Sequence, residues 1–358
     1  MVGRWAIHRP KEVLVSRFAI DEPAAESAAE PAAESAVESG WRRSRGAEIR
    51  LLAFVDPMMG LAWEMQPVYR RPEEQYPDLV IQPVMSVLVP DVYRLVDPLD
   101  LAVSKAQALK QYNRRLARIY LDEVPIAGMP MRMDGLRLFD EEHTSSRPLA
   151  LAVKAVELAN PELAASFLYR LRYALVVETR PVLAKAELVR VLRLVGADED
   201  GVCEAISDGR AQAALHADLE LGRRFGVQGL PAHVVLGPGS AAGSAWVAGR
   251  VQAARTAPAS GGAGEPMQAA AVPGVAPFET FAQAIATLSG IAPEPARPTP
   301  QAVGKLVARR RLVCSVEIMA AFGLSDEEEA RRLVAPLVED GVVRVFEAAG
   351  RFFVELVD

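Results

Sequence analysis

The chain has 358 residues, of which 51% are hydrophobic and 24% are charged, and its formal net charge is −6. This composition is that of a globular protein large enough for two or more domains, and the acidic balance gives no sign of binding to nucleic acid or to an anionic membrane. Only two cysteines occur, Cys203 and Cys314, and the four histidines are scattered. The sequence therefore predicts neither a disulfide framework nor a zinc site.

The N-terminal stretch is predicted to lie outside any folded domain. Residues 21–40 read DEPAAESAAEPAAESAVESG, without large apolar side chains whose burial could offset the entropy of ordering. We assign 1–46 to a disordered Ala/Glu-rich tail.

No run approaches the ~20 apolar residues of a bilayer span, and the start lacks the apolar core of a secretory signal. We therefore expect a cytoplasmic protein without membrane association and without a cofactor.

Order begins with two predicted strands that flank a helix. Ile49–Val55 is nearly continuous in apolar residues, as a buried parallel strand would be. Pro57 then stands beside the start of a helix predicted from Met58 to about Tyr76. A second strand, DLVIQPVMSVLV, contains Pro83, which predicts an edge position or a bulge.

From about residue 99 to residue 225 the apolar spacing becomes helical and predicts a helical insertion. Its first helix reads LDLAVSKAQALKQYNRRLARIYL, and an irregular connector at 124–146 separates that helix from five more. Gly196 and Gly226 are natural helix stops.

Strand signals return after the insertion, at LPAHVVLG and AWVAGRV. A Gly/Ala/Pro-rich insert at about 253–275 is predicted to be a flexible loop, and PFETFAQAIATLSG an amphipathic helix. The pattern predicts an α/β, thioredoxin-like domain over 47–290. A stiff Pro-rich linker follows at 291–300.

A small module is predicted at 301–358. Val316–Phe322 has the spacing of a short helix, and Ser325 is predicted to cap the next helix with Glu328 as its capping-box partner. VVRVFEAAGRFFVEL predicts a hairpin that turns at Ala348–Gly350. Helix, turn, helix and hairpin together indicate a winged-helix-like domain.

Winged helices commonly bind DNA, but the charges of this module argue against that function. It holds eight Lys/Arg and ten Asp/Glu, and its second helix opens with four carboxylates, 326–329. These carboxylates complement the helix dipole but would repel the phosphates that a DNA reader must neutralise. We interpret Arg309, Arg310 and Arg311 as a solvated basic patch.

The stretch FVDPMMGLAW leads from the first strand into the first helix. At such a corner thiol oxidoreductases place two cysteines, because the helix N-terminus stabilises a thiolate. Here those positions hold Met59 and Ala62, neither of which can form a thiolate. Cys203, inside an apolar-periodic helix, is interpreted as a small core residue. The sequence therefore predicts no thiol redox chemistry at this corner.

FVDPMMGLAW, SSRPLALAVKAVEL, LGRRFGVQGLPAHVV and the C-terminal module together resemble the DsbA-like proteins. Within that family they are most similar to the adaptors that present the Spx transcription regulator to the ClpXP protease. The resemblance covers roughly Glu48 to Leu356 apart from the insert. In the adaptors the corner often reads Asp-Pro-x-Cys-x-x-Cys-Trp, so that Asp56, Pro57 and Trp63 match while both cysteines are replaced.

The resemblance implies a non-enzymatic adaptor whose partners are proteins, a Spx-like regulator and ClpXP. Thioredoxin-type folds place a cis-proline opposite such a corner, and GVQGLPAHVV, with Pro231 just before an apolar strand, fits either that proline or an ordinary turn. We expect an exposed hydrophobic surface there that binds the partner, formed by Met58, Met59, Ala62, Trp63, Leu230 and Pro231. The competing interpretation is that Met58, Leu61 and Met65 are ordinary helix-core residues.

Two other functions stay open from the sequence. One is an enzyme on the same fold, a DsbA-like thiol-disulfide oxidoreductase or a glutathione-dependent isomerase, which would need help from Cys203 or from a cysteine of a partner. The other is a transcription regulator, which would bind DNA through the module at 301–358.

Overall fold

The structure of the protein is a computed structural model that describes residues 49–238 and 267–357. In this part of the chain the strands β1 (Ile49–Val55), β2 (Leu79–Met85), β3 (Ala232–Pro238) and β4 (Met267–Pro273) form one sheet in the order β2-β1-β3-β4. β1 pairs parallel with β2 and antiparallel with β3, and β3 pairs antiparallel with β4. This mixed sheet agrees with the predicted thioredoxin-like domain. The predicted tail and the strand AWVAGRV fall outside the described residues.

The first two strands form where the sequence predicts them. β1 lies between two neighbours, and Arg50 is its one residue that is not buried. β2 is an edge strand, in which Pro83 stands opposite Ala53. An edge strand tolerates Pro83, because a proline lacks the N–H that a central strand would need.

β4 corrects one prediction, because it lies inside the segment 253–275 that was expected to be a flexible loop. Its sequence, MQAAAVP, is rich in alanine, which favours strands only weakly. The ladder to β3 pairs its residues from Met267 to Pro273 without a break. Tertiary pairing therefore decides the conformation of a segment whose composition suggests none.

The predicted helix from Met58 to Tyr76 is divided into α1 (Gly60–Glu64) and α2 (Gln66–Gln75). The division falls at Met65, just before Pro67. Pro67 has no N–H to donate to the carbonyl four residues earlier, so that the helix cannot continue through it unchanged.

The helical insertion is confirmed, with one correction at its start. The first predicted helix is two, α3 (Pro98–Val103) and α4 (Lys105–Glu123). Ser104 separates them, and its hydroxyl accepts a hydrogen bond from the backbone N–H of Gln107 at 3.1 Å. Serine favours this N-cap role over a helix interior. The connector at 124–146 holds no α-helix or strand, as predicted.

The other predicted helices of this domain are all present. They are α5 (Arg147–Ala159), α6 (Ala164–Val176), α7 (Lys185–Val195), α8 (Glu199–Ser207), α9 (Arg210–Arg224) and, after β4, α10 (Phe278–Ser289).

The C-terminal module combines three helices with a three-stranded antiparallel sheet in the order β5-β7-β6. The predicted short helix, second helix and hairpin are confirmed, whereas the first helix and the first strand were not predicted. The elements are α11 (Pro300–Arg310), β5 (Leu312–Cys314), α12 (Ser315–Phe322), α13 (Glu327–Glu339), β6 (Val343–Ala348) and β7 (Arg351–Leu356).

The start of α13 differs from the predicted capping box by one residue. Asp326 is the N-cap, and its carboxylate accepts from the backbone N–H of Glu329 at 2.9 Å. Glu329 in turn accepts from the backbone N–H of Ser325 at 2.9 Å. Aspartate and serine are both good N-caps, so that two adjacent candidates could not be separated by residue type. The winged-helix interpretation of the module stays a prediction.

The C-terminal module packs directly on the thioredoxin-like domain. Leu312, Cys314 and Phe353 belong to the same hydrophobic cluster as the corner residues of α1. Glu294, in the linker, donates its backbone N–H to the carbonyl of Gln75 at 2.9 Å. These module residues therefore extend the core of the thioredoxin-like domain, while the rest of the module has a hydrophobic cluster of its own.

Ion pairs reinforce this contact and correct the interpretation of the basic patch. Arg309 pairs with Glu74, and Arg310 pairs with Glu73, both on α2. These two arginines are therefore committed to the other domain. Their charges are paired with acidic residues of the thioredoxin-like domain.

Candidate functional site

Asp56 fixes the corner between β1 and α1. Its carboxylate accepts hydrogen bonds from the backbone N–H of Met58 (2.8 Å), the backbone N–H of Leu88 (2.7 Å) and the hydroxyl of Ser146 (2.6 Å). Burial raises the pKa of Asp56 to about 6, although the three donors favour its ionised form. Asp56 therefore holds the corner against two distant segments of the chain.

Met59 and Ala62 stand at the positions where thiol oxidoreductases carry cysteines. Met59 is the N-cap of α1, with an extended backbone, and Ala62 lies within the first turn of that helix. Their side chains are 6% and 0% exposed. A thioether has no proton to lose and a methyl group has no reactive atom, so neither position supplies a thiolate.

The expectation that this corner presents an exposed hydrophobic surface is wrong. Leu230 is half-buried. The other five predicted site residues are buried: Met58, Met59, Ala62, Trp63 and Pro231. The competing interpretation of the methionines is therefore confirmed for Met58 and Met65, which are 1% and 0% exposed.

The helical insertion covers the corner. Tyr120, on α4, donates its hydroxyl to the carbonyl of Met58. The indole N–H of Trp63 donates to the carbonyl of Pro130 in the connector at 3.1 Å, and the Trp63 ring lies 4.9 Å from the ring of Tyr169. The apolar corner residues are thus part of the core beneath α4, the connector and α6.

The loop before β3 has the geometry that the family resemblance implies. The Leu230–Pro231 peptide bond is cis. The carbonyl of Pro231 accepts from the backbone N–H of Gly274 at 2.9 Å, which ties the loop to the end of β4. Leu230 packs on the core that contains the corner residues and also on the cluster of Leu52 and Phe54 across the sheet.

Two buried glutamates beside the corner were not predicted. Glu64, which is fully buried, accepts from the backbone N–H of Ala127 at 2.8 Å, and one of its carboxylate oxygens has no partner in the described part of the chain. A Cβ atom added to Gly60 would meet the carboxylate of Glu123, which places that carboxylate at the first turn of α1. Burial raises the pKa of Glu64 to about 7 and that of Glu123 to about 8, the latter with a second contribution from the charge of Glu64. The signal in the sequence was a carboxylate within the apolar run MMGLAWEM.

These glutamates predict that the protein loses stability as the pH rises. The folded state keeps a proton on Glu64 up to about pH 7, whereas the unfolded state releases it near the ordinary value of 4.5. The folded state therefore binds more protons between these values, and its free energy of unfolding falls as the pH increases. We expect Glu64→Gln to remove up to about 3 kcal/mol of this loss between pH 5 and pH 8, measured by urea unfolding at both values.

Glu187 provides the control for this measurement. Its hydrogen bond from Arg180 lowers its pKa to about 2, so that it is ionised in both the folded and the unfolded state above pH 6. Glu187→Gln should therefore change the stability by nearly the same amount at pH 5 and at pH 8. An equal pH dependence in the wild type and in Glu64→Gln would contradict the prediction.

Neither cysteine lies in the corner segment. Cys203, on α8, is exposed, so its interpretation as a core residue is wrong. Its helix buries Val202 and Ala205, which leaves the position between them facing outward. Cys314 is buried, and burial raises its pKa well above the ordinary value for a thiol. Burial thus disfavours a thiolate at Cys314.

Residues 49–238 and 267–357 contain no group of three or more His, Cys, Asp or Glu side chains placed to hold a metal ion. In the same ranges, none of the helices combines the length and the apolar character needed to cross a membrane.

A family model described as Thioredoxin matches residues 52–246. Two curated relatives carry the name ClpXP adapter protein SpxH. The one from Shouchella clausii is 20% identical over 305 residues, covering 85% of this chain and 88% of the relative. The one from Halalkalibacterium halodurans is 20% identical over 293 residues, covering 82% and 84%. Among solved structures, a putative protein disulfide isomerase from Nitrosomonas europaea is similar with a TM-score of 0.48 and 17% identity, covering 67% of this chain and 97% of that chain.

Proposed function

Because the chain belongs to the thioredoxin family and is similar, along most of its length, to two relatives named as adapter proteins, we propose that it is a non-enzymatic protease adaptor. In this proposal it binds a Spx-like transcription regulator and promotes the degradation of that regulator by ClpXP. In this proposal the adaptor acts in the cytoplasm. The observation that carries the proposal is a retained thioredoxin-type corner without either cysteine, in a chain similar to adapters over most of its length.

The chemistry of the corner supports binding rather than catalysis. Met59 and Ala62 offer no nucleophile, and Trp63 is fully buried in the same hydrophobic cluster. The carboxylate of Asp56 is engaged by three donors that hold the loop. These groups stabilise the conformation of the corner. A protein that binds its partner without catalysis needs no reactive group there.

We place the partner-binding surface at the loop of Leu230 and Pro231. Leu230 is the predicted site residue with appreciable exposure, and Gly229 beside it has open space where a side chain would begin. The four corner residues from Met58 to Trp63 would support this surface from beneath. The winged-helix-like module would add a second contact, in an orientation fixed by its pairs with α2.

Gly229→Arg tests this surface without disturbing the core. The glycine has an ordinary backbone conformation and no atom within 4 Å of an added Cβ, so that the arginine is accommodated and projects beside Leu230. With purified Spx-like regulator and ClpXP, we expect the wild-type chain to bind the regulator and to accelerate its degradation. Gly229→Arg should weaken binding by about tenfold or more, as a charge introduced at an interface centre does.

Ala186→Arg, at an exposed position of α7, is the matched control and should behave as the wild type. Failure of the wild-type chain to bind either partner would reject the adaptor. Reduction of insulin disulfides by the purified chain would favour the thiol oxidoreductase, and salt-sensitive DNA binding would favour the transcription regulator.

A further inference from the structure

A small cavity lies where the sheet, α2, α6 and the C-terminal module meet. Its volume is about 50 Å³, whereas about 10–15 Å³ is enough for one water molecule. Ala53, Val55, Ile81 and Leu168 form its apolar walls. Its lining includes none of the six predicted site residues.

Arg172, on α6, is a deeply buried charged residue on the wall of this cavity. Its residue is 4% exposed, and its Nε atom has no hydrogen-bond partner in the described part of the chain. Its Nη2 atom donates a long hydrogen bond of 3.5 Å to the backbone carbonyl of Asp56. The Asp56 carboxylate is already engaged by Met58, Leu88 and Ser146. The guanidinium group of Arg172 is therefore poorly compensated, and its burial lowers its pKa to about 10.

Arg310 reaches the same cavity from the C-terminal module. Its Nη2 atom pairs with Glu73, but its Nε atom is buried and has no partner among the described residues. Glu73 is the one carboxylate on the cavity wall, and it also accepts from Arg70 at 2.6 Å. Three arginines and one glutamate thus line the cavity. Two of these arginines, Arg172 and Arg310, have an Nε–H without a hydrogen-bond partner among the described residues.

The other polar groups of the wall are satisfied. Arg70 donates to Glu317, Glu73 and Gln66 at 2.6 to 2.8 Å. Tyr69 is hydrogen-bonded to His233, whose second ring nitrogen lies 3.3 Å from the Val272 carbonyl. The hydroxyl of the remaining phenol, Tyr169, donates to Glu317. Among these wall residues, the N–H groups without a partner in the described part of the chain therefore belong to the two guanidinium groups of Arg172 and Arg310.

We propose that this cavity binds one small monovalent inorganic anion, such as chloride, between the Nε–H groups of Arg172 and Arg310. A buried cationic donor without a partner is costly, and an anion supplies both the charge and the acceptor. The volume is large enough for a monatomic anion. Because one arginine belongs to α6 and the other to α11, the bound anion links the two domains. This inference is independent of the proposed adaptor function.

The thermal unfolding of the full-length chain tests the anion site. At fixed pH and ionic strength, replacing gluconate by chloride should raise the Tm by about 2 to 4 °C, and the rise should saturate with concentration. Arg172→Met, which keeps the length of the side chain and removes its donors, should abolish the difference between the two salts. Arg309→Met should retain the difference, because Arg309 pairs with Glu74 and does not line the cavity.

Equal Tm values of the wild type in chloride and gluconate would overturn the proposal, as would an undiminished chloride effect in Arg172→Met. Anomalous diffraction from a bromide-soaked crystal of the wild type decides the question even if Arg172→Met does not fold. A peak between the two Nε atoms would support the site. A cavity that holds only water in such a crystal would reject it.

Discussion

Replacing Glu317 with alanine is expected to lower the free energy of unfolding by about 3–5 kcal/mol, because it breaks a buried charge pair between the two domains. Glu317 is fully buried, and its carboxylate accepts from Arg70 Nε at 2.8 Å and from the backbone N–H of Cys314 at 2.9 Å. It also accepts the hydroxyl of Tyr169. The variant leaves all three donors with one partner fewer in the buried contact between the two domains. Urea unfolding monitored by tryptophan fluorescence measures the loss.

Glu279→Ala is the matched control, because it removes a glutamate from an exposed pair. Arg71 and Glu279 lie 3.3 Å apart with side chains 42% and 71% exposed. Such a surface pair contributes about 1 kcal/mol or less. Should the two variants unfold at the same urea concentration, the buried network would not hold the domains together as described.

Replacing Trp63 with alanine is expected to cost about 3–5 kcal/mol, the usual range for a large aromatic residue removed from a core. Trp63 is fully buried, packs against Tyr169 and donates its indole N–H to the connector. Its loss opens a cavity beneath the corner and frees the carbonyl of Pro130. Thermal and urea unfolding both report the change in stability.

Trp63→Phe separates the two contributions. Phenylalanine keeps most of the apolar volume and loses the hydrogen bond, so we expect it to recover at least half of the stability lost in Trp63→Ala. A Trp63→Ala variant as stable as the wild type would show that the corner is not part of the core.

Local signals predicted much of the fold. β1 and the helices from Arg147 to Arg224 follow from apolar runs and helical spacing, which depend on neighbouring residues alone. The lack of thiols at the corner could be predicted from the residue types at positions 59 and 62 alone. The sequence left open whether the bond before Pro231 is cis, and the structure shows that it is.

What the sequence did not reveal depends on contacts between distant residues. Trp63 and Pro130 are 67 positions apart, and Arg70 and Glu317 are 247 apart. The corner was expected to be exposed, because the helix and the connector that cover it are distant in the sequence and do not influence a local pattern. The paired arginines of α11 were interpreted as solvated for the same reason, since their partners on α2 lie in another domain. The residue types at 59 and 62 show that the corner lacks a thiol. Whether the corner is buried depends on segments that are distant in the sequence.

The β3–β4 ladder has a practical consequence for protein engineering. Pro238 and Met267 are paired across it, so the chain leaves the sheet and re-enters it at neighbouring points. Each doubling of the length of such a closed loop costs only about 0.6 kcal/mol of entropy. Inserting a fluorescent reporter between these two strands should therefore cost little free energy of folding. The protein could then be labelled at this point with both termini unchanged.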